Sequence, residues 1–415
     1  MKIKLVIPLL ILSLLVPENL FAYGLNSARS VGMGGAYTVV AKGVESAFWN
    51  PANLALSYGP KRSWMIFSLA LNPHNNSFSL HQYNRYNSKF LTSEDKQSIL
   101  NSIPSEGLNL SLDGDFLALG ISDGRFGFAI SGKGASDLVL PKDPIEVLFF
   151  GNEINDTILL SDSEGEAFAS VDIGFCHGRS VWKKGDRKLL CGVNFRYSQG
   201  LIYHKVTEAE GEVLTSETGV NGNGNFVAQS ASGGSGYGVD FGVTMEYKEN
   251  WWFGLSFINL INHMKWSKNT KEKVYRVQVD SLVAEHFDPD SVIVDESYTR
   301  KIDPFTTRIP TVMHLGLAYQ LKSTLLSFDL KQGFKKGMGI SSTPRASLGA
   351  EYEFLSWLDI RGGIAIGGDE GITLANGLGF KLGAYHLDFG MAVQKGLWPT
   401  RSKGISLAIS NGLSF

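Results

Sequence analysis

Cysteine is nearly absent. Cys176 and Cys191 are the only two in 415 residues, too few for a disulfide framework, and no Cys/His pair has zinc-ligand spacing. No metal or cofactor is implied. Charge is scarce and balanced: 38 Lys and Arg against 40 Asp and Glu give a net charge of −2, which leaves no basic footprint for a nucleic acid. Proline is sparse, at 13 residues. No run beyond the N-terminus approaches the ~20 apolar residues of a membrane helix. Serine, histidine and acid fall into no recognisable hydrolase motif, so the chain is not expected to be an enzyme. If it crosses a membrane, it must do so as a closed barrel.

What is present begins with Lys2 and Lys4 ahead of an apolar run from Leu5 to Val16 and a small-residue cut site at Ala22. This is the layout of an export signal over residues 1–22. No cysteine sits at the cut, so no lipid anchor is expected. Glycine, at 47 residues, and aromatics, at 11%, suit a β-rich chain with many turns. Beyond residue 61 the hydrophobic period becomes two, the mark of strands with unlike faces. Tyr385, Leu387, Phe389, Met391 and Val393, for instance, alternate with His386, Asp388, Gly390 and Ala392.

Fourteen such stretches can be read between residues 62 and 414, with 125–138 as the third and 225–248 as the sixth. Short connections at Ser122–Gly124, Trp182–Asp186 and Lys322–Ser323 alternate with longer ones, notably 81–106, 139–165, 206–224 and 267–307. An even strand number with short turns at one end and long loops at the other fits an antiparallel transmembrane barrel whose termini are periplasmic. Trp64, Trp182, Trp251, Trp252 and Trp357 fall at the turn ends of strands, and Trp266 and Trp398 at the loop ends. Those are the places of the aromatic girdles.

The segment between the signal and the first strand is different. ARSVGMGGAY, Ala28 to Tyr37, holds Gly32, Gly34 and Gly35, which disfavour both helix and strand. FWNPA, Phe48 to Ala52, holds Pro51, which pushes Asn50 towards an extended or turn conformation. Such a compact, irregular stretch needs a larger structure around it to satisfy its backbone. The order S-x-G-x-G-G-A-Y then W-N-P-A, carried by Ser30, Gly32, Gly34 to Tyr37 and Trp49 to Ala52, resembles the hatch of the FadL-like outer-membrane barrels. That superfamily includes long-chain fatty-acid transporters, aromatic-hydrocarbon channels and PorV-like barrels. The resemblance implies an all-β fold: a fourteen-stranded barrel over residues 62–415, plugged by a hatch over 23–61, with short helices in extracellular loops. It also implies a monomer in the outer membrane, surrounded by lipid. The last strand alternates to Phe415, which resembles the C-terminal signal read by barrel-assembly machinery.

By that resemblance the function is passive uptake of a hydrophobic small molecule, fatty-acid-like or hydrocarbon, gated by the hatch around Asn50, Pro51 and Ala52. A PorV-like accessory barrel binding exported proteins or a secretion complex is the alternative, and a barrel with no cargo is a third reading. Two loop helices are expected. Thr92 caps the first, and Asp143-Pro-Ile-Glu146 opens the second as a capping box ending at Gly151. Leu148, Phe149 and Phe150 make the second apolar nearly all round, a candidate capture surface or a packed lid. A ligand delivered to lipid needs a side opening, and glycine weakens a strand. Gly132 and Gly134 are therefore expected to interrupt the ladder facing Asn50, with Gly233 to Gly238 as the competing place. Alternation puts Cys176 on the lumen face and Cys191 on the lipid face, so the two should not bond. His386 reads as a structural group, and Asp288, Asp290, Asp295 and Glu296 as solvated loop acids.

Overall fold

The period-two pattern folds into a ladder that closes on itself. A computed structural model describes residues 27–151, 154, 157–159, 161, 163–217, 219–282 and 293–415. The expected export signal and the acids Asp288 and Asp290 lie outside them. Fourteen antiparallel strands form the ring. They are β1 (Ser63–Asn75), β2 (Leu108–Ser122), β3 (Phe126–Leu140), β4 (Glu164–Lys184), β5 (Arg187–Ser216), β6 (Gly234–Tyr247) and β7 (Trp251–Trp266). The second half is β8 (Val312–Leu321), β9 (Thr324–Gly333), β10 (Arg345–Leu355), β11 (Leu358–Gly367), β12 (Thr373–Leu382), β13 (Tyr385–Gln394) and β14 (Gly404–Ser414). Each pairs with its neighbour, and β1 pairs with β14 from Ser63↔Ser414 to His74↔Gly404, so no edge remains within the ring.

Connections at one end are only two or three residues long, as at 185–186 and 383–384, where Gly185 and Gly383 take φ of 55° and 66°. At the other end the loops are long. β5 runs past the ring and continues in a flap formed with strands Gly219–Ala231, Lys271–Leu282 and Ile293–Lys301, the last of which carries Glu296. The stretches 206–224 and 267–307 are thus largely strand, not loop. The single sixth strand expected over 225–248 is two strands, split at Gly233 with φ 135°.

Outward-facing positions are apolar, as at Ile173, Phe175 and Phe195 on β4 and β5. Trp64, Trp182 and Trp357 are exposed on this surface and Trp398 is exposed in the connection between β13 and β14, but Trp252 and Trp266 are buried inside the barrel. Successive residues on a strand point to opposite faces, so Trp251 and Trp252 could not both meet lipid. Cys176 is buried on the lumen face, Cys191 points outward, and both are free.

The lumen is filled by residues 27–56. They form helix Ala28–Gly32, a 3-10 turn Gly43–Glu45, a helical turn Ser46–Trp49 and a second 3-10 turn Pro51–Ala55. Met33, Tyr37, Val39, Val40, Trp49 and Ala52 form the packed centre of this plug. Room for it comes from glycine in the wall. Gly178↔Gly192↔Gly242 run across β4, β5 and β6, Gly254↔Gly316 across β7 and β8, Gly349↔Gly363 across β10 and β11, and Gly377↔Gly390 across β12 and β13. A Cβ would lie 2.7 Å from the Pro51 oxygen at Gly178, 2.6 Å from the Met33 oxygen at Gly349 and 3.0 Å from Gly32 Cα at Gly377. The plug backbone therefore lies directly on the wall backbone, in a ring that a side chain at these positions would break.

Candidate functional site

The plug is riveted by polar contacts from nearly every side. Asn50 Oδ1 accepts from the Ala52 amide at 3.1 Å, while its Nδ2 donates to the Val243 carbonyl and Thr244 Oγ1 at 3.2 and 3.0 Å. Asn50 is thereby the cap of the turn that Pro51 opens, and that turn rests on β4, β5 and β6. Thr244 in turn donates to Asn53 Oδ1, and Ser256 Oγ donates to the Trp49 carbonyl. Three strands further round the wall, Asp329 of β9 accepts from the Tyr37 and Thr38 amides at 2.9 and 2.7 Å. Buried carboxylates and amides satisfy the backbone of a segment that has little regular structure of its own.

Two buried ionic groups lie beside the plug. In one, Glu351 takes both Arg29 and Arg361, and Arg361 reaches Asp388 at 2.6 Å. In the other, Lys133 and Arg196 meet Asp172 at 2.7 and 3.4 Å, and Arg196 meets Asp240 at 2.8 Å. The second group borders a cavity of about 20 Å³ between the plug residues Ala47 and Phe48 and the wall at Ile258, room for about a single water. Beside the plug this cavity is walled by the charged groups Asp115, Lys133, Asp172, Arg196 and Asp240.

Gly132 and Gly134 do not open the wall. β3 pairs without interruption with β4 from Phe126↔His177 to Val139↔Glu164, and its pairing with β2 continues past both glycines, with one bulge in β2 at Leu117/Leu119. Lys133 between them points into the lumen, so the two glycines face outward, and Asn50 is held against β6 instead. The ladder weakens elsewhere. Between β6 and β7, Val239 pairs with Ile261 and Phe241 with Phe257, so Ile258, Asn259 and Leu260 all stand opposite Asp240. Asn259 takes φ 58°. Between β7 and β8, regular pairing stops at Ile258↔Val312 and resumes only at Met264↔Thr307. Side chains stitch the gap. Asn262 donates to the Ile309 carbonyl and accepts its amide at 2.9 and 2.7 Å, and Asn259 donates to the Pro310 carbonyl at 3.2 Å. Pro310 has no amide of its own to offer. The signal for this seam is in the sequence, since Phe257-Ile-Asn-Leu-Ile-Asn262 breaks the period of two.

Among the described residues three short α-helices lie at the loop end. Ser93–Ser102 is capped by Thr92, whose hydroxyl accepts from the Asp95 amide while the Asp95 carboxylate takes the Thr92 amide. Leu80–Tyr86, not expected from the pattern, has the same signature in Ser79 and Gln82. Lys142–Phe150 starts after Pro141 with no side-chain cap, one residue ahead of the proposed box. No residue of that helix is buried. Leu148 and Phe150 are exposed, Phe149 packs edge-on against Phe150, and Lys96 ties the Phe149 carbonyl to the neighbouring helix at 2.8 Å. With Phe90 and Tyr83 they make an apolar outer surface.

Together, a closed fourteen-stranded ring, an apolar exterior and a folded luminal plug define a plugged transmembrane β-barrel of the outer-membrane type. The chain belongs to the family of unknown function DUF5723, whose family model matches residues 63–231 and 214–392. No curated protein sequence matches it. Among solved structures it is similar to the toluene transporter TodX of P. putida, with 13% identity over 96% of this chain and 99% of that one and a TM-score of 0.52. A FadL homologue of Pseudomonas aeruginosa gives 11% identity, coverage of 95% and 99%, and a TM-score of 0.53. The monoaromatic hydrocarbon channel CymD gives 13%, 96%, 98% and 0.50. These likenesses establish the FadL-like fold.

Proposed function

We propose that the chain is a monomeric outer-membrane barrel for passive uptake of a hydrophobic small molecule. The observation that carries this reading is the outer helix Lys142–Phe150, which holds Leu148 and Phe150 out towards solvent, with Phe149 half-buried against Phe150, above a plugged barrel. Apolar side chains held in water at this end collect apolar molecules by the hydrophobic effect. The plug around Asn50, Pro51 and Ala52 serves as the gate. The exit is the stitched seam at Asn259 and Asn262, where opening costs side-chain rather than ladder hydrogen bonds. The reading takes residues 1–22 as an export signal, 23–61 as the hatch and 62–415 as the barrel, with Phe415 recognised during assembly. Native mass spectrometry of the barrel extracted from membranes, followed by uptake of the co-purifying compound by vesicles carrying it, tests the proposal. A barrel that carries no apolar compound and admits none would overturn it.

A second reading, an accessory barrel for exported proteins, draws on the plug, whose side chains pack against the wall and border a cavity of about 20 Å³ beside Ala47 and Phe48. Crosslinking from the outer helices in intact cells separates the two. A stable protein partner there, with no uptake, favours the second.

A further inference from the structure

Above the waist one side of the lumen is polar, lined by Asp113, Asp137, Lys331, Arg345 and Glu370, and the other is apolar. Phe168 of β4, Tyr203 of β5 and Trp266 of β7 line an apolar socket with Ile309 and Val312, every one of them buried. Tyr203 stacks on Trp266 at 5.3 Å. The socket is occupied by Met338 and Ile340, which arrive from the loop between β9 and β10. We propose that this socket is the binding site for a neutral apolar molecule, and that the loop is its built-in competitor. The proposal rests on the uptake reading and names where its cargo sits.

The turn that delivers the two side chains is a poor one for its sequence. Gly337 and Ile340 exchange amide-to-carbonyl bonds at 3.1 and 3.0 Å, with Met338 at φ 50° and Gly339 at φ 72° between them. A turn with two central residues of positive φ prefers Asn, Asp or Gly first, because a longer side chain strains there. Methionine therefore gains its place through packing in the socket. The loop's other anchors are single polar contacts: at its ends the Phe334 amide donates to the Thr311 carbonyl at 3.0 Å, Gln332 to the Ser342 carbonyl at 2.9 Å and the Gly368 amide to the Pro344 carbonyl at 3.1 Å, and Lys336 lies 3.9 Å from Glu164. Glu166 accepts from the Met338 amide at 2.9 Å, and Ser341 donates to Asp369 at 2.7 Å. Phe334 at the loop's start is exposed. A segment that buries two side chains and hangs on such contacts can leave without disturbing the ring.

What enters in its place must match what leaves. Thioether and branched alkyl groups against aromatic faces define an apolar ligand of the combined bulk of the two side chains. Beside the turn, Glu166 and Lys205 already pair at 3.2 Å, so the socket suits a neutral rather than an ionised molecule. A competitor occupying the site most of the time weakens apparent affinity by the fraction of time the site is empty.

The test uses the full barrel in lipid nanodiscs and 1-bromooctane, a heavy-atom quencher of tryptophan emission. Comparison with Trp266→Phe isolates the contribution of Trp266. In a Met338→Gly/Ile340→Ala variant, Trp266 should be quenched at about tenfold lower concentration than in the wild type. Equal concentrations would overturn the proposal. Should that variant not fold, the pair Ala135→Cys/Gly339→Cys replaces it, since a Cβ on Gly339 would lie 2.7 Å from that of Ala135. A small shift gives disulfide geometry. Oxidation should then abolish quenching and reduction restore it, and indifference to oxidation would overturn the proposal. Bromooctane bound by dialysis without quenching Trp266 would sink the socket but spare the uptake reading. No binding at all would sink both.

Discussion

Arg29 donates through Nε and Nη2 to both oxygens of Glu351, at 2.6 and 2.7 Å, across the joint between plug and wall. Glu351 also accepts from Arg361 Nε at 2.6 Å, so one carboxylate bridges two buried guanidinium groups, and Asp388 supplies the second charge that Arg361 needs. Glu351→Gln would take from Arg29 its carboxylate partner and from Arg361 one of its two short ones, at a cost of roughly 3–5 kcal/mol for a broken buried pair. The expected outcome is a loosened plug, read as intermittent conductance in planar bilayers where the wild type stays closed. A variant as quiet and as heat-stable as the wild type would show that the pair holds nothing.

Gly362 and Gly363 are adjacent and should respond in opposite ways to alanine. A Cβ on Gly363 would stand 2.5 Å from the Gly34 amide nitrogen, with no flexible side chain to yield. On Gly362 it meets nothing within 4 Å. Gly363→Ala should deplete the folded, heat-modifiable band on gels. Gly362→Ala should leave it intact, with a gain of about 0.5–1 kcal/mol from reduced backbone freedom.

Lys42 makes plug seating depend on pH. The Arg29 charge, and then burial, lower its pKa to about 8. A released plug would return it to the ordinary lysine value near 10.5. Between the two values the released state holds more protons, so seating strengthens as pH rises through that window; below 8 the repulsion is fully present. Channel openings should be about tenfold rarer at pH 9 than at pH 7. Lys42→Gln should remove the difference, and a persisting difference would assign it to another group.

Asn262→Leu should open the seam. The change strands the Ile309 amide and carbonyl that Asn262 now serves, at about 1–3 kcal/mol for each unpaired buried group. Hydrogen exchange at Ile309 should accelerate while that of Leu315, in regular pairing with Leu255 and Leu330, does not. Equal protection at both positions would show the seam to be as firm as the ladder.

Strand positions were legible because lipid outside and a polar interior impose period two on every crossing. The free Cys176 and Cys191 followed from the same rule. Trp252 and Trp266 were misread because position along a strand does not report which face a residue takes. The outer strand Lys271–Leu282 was readable from Tyr275, Val277 and Val279 against Arg276 and Gln278, but its length was assigned to loop. Arg29 with Glu351, or Met338 with Phe168, could not be paired from the chain. Their meeting depends on which strands stand across the lumen, and only closure of the ring sets that.

The bare backbone at the waist also bears on the order in which the molecule is made. Nine strands carry luminal glycines at the level of the plug, so without residues 27–56 that level would enclose a hollow with no side chains to prop it. The N-terminal segment is then a casting core: the strands are laid against it, and it is not threaded into a finished cylinder. A chain starting at residue 62 should refold when a peptide of residues 27–61 is present from the outset, and not when the peptide is added afterwards. Equal yields in both orders would mean that the cylinder stands by itself.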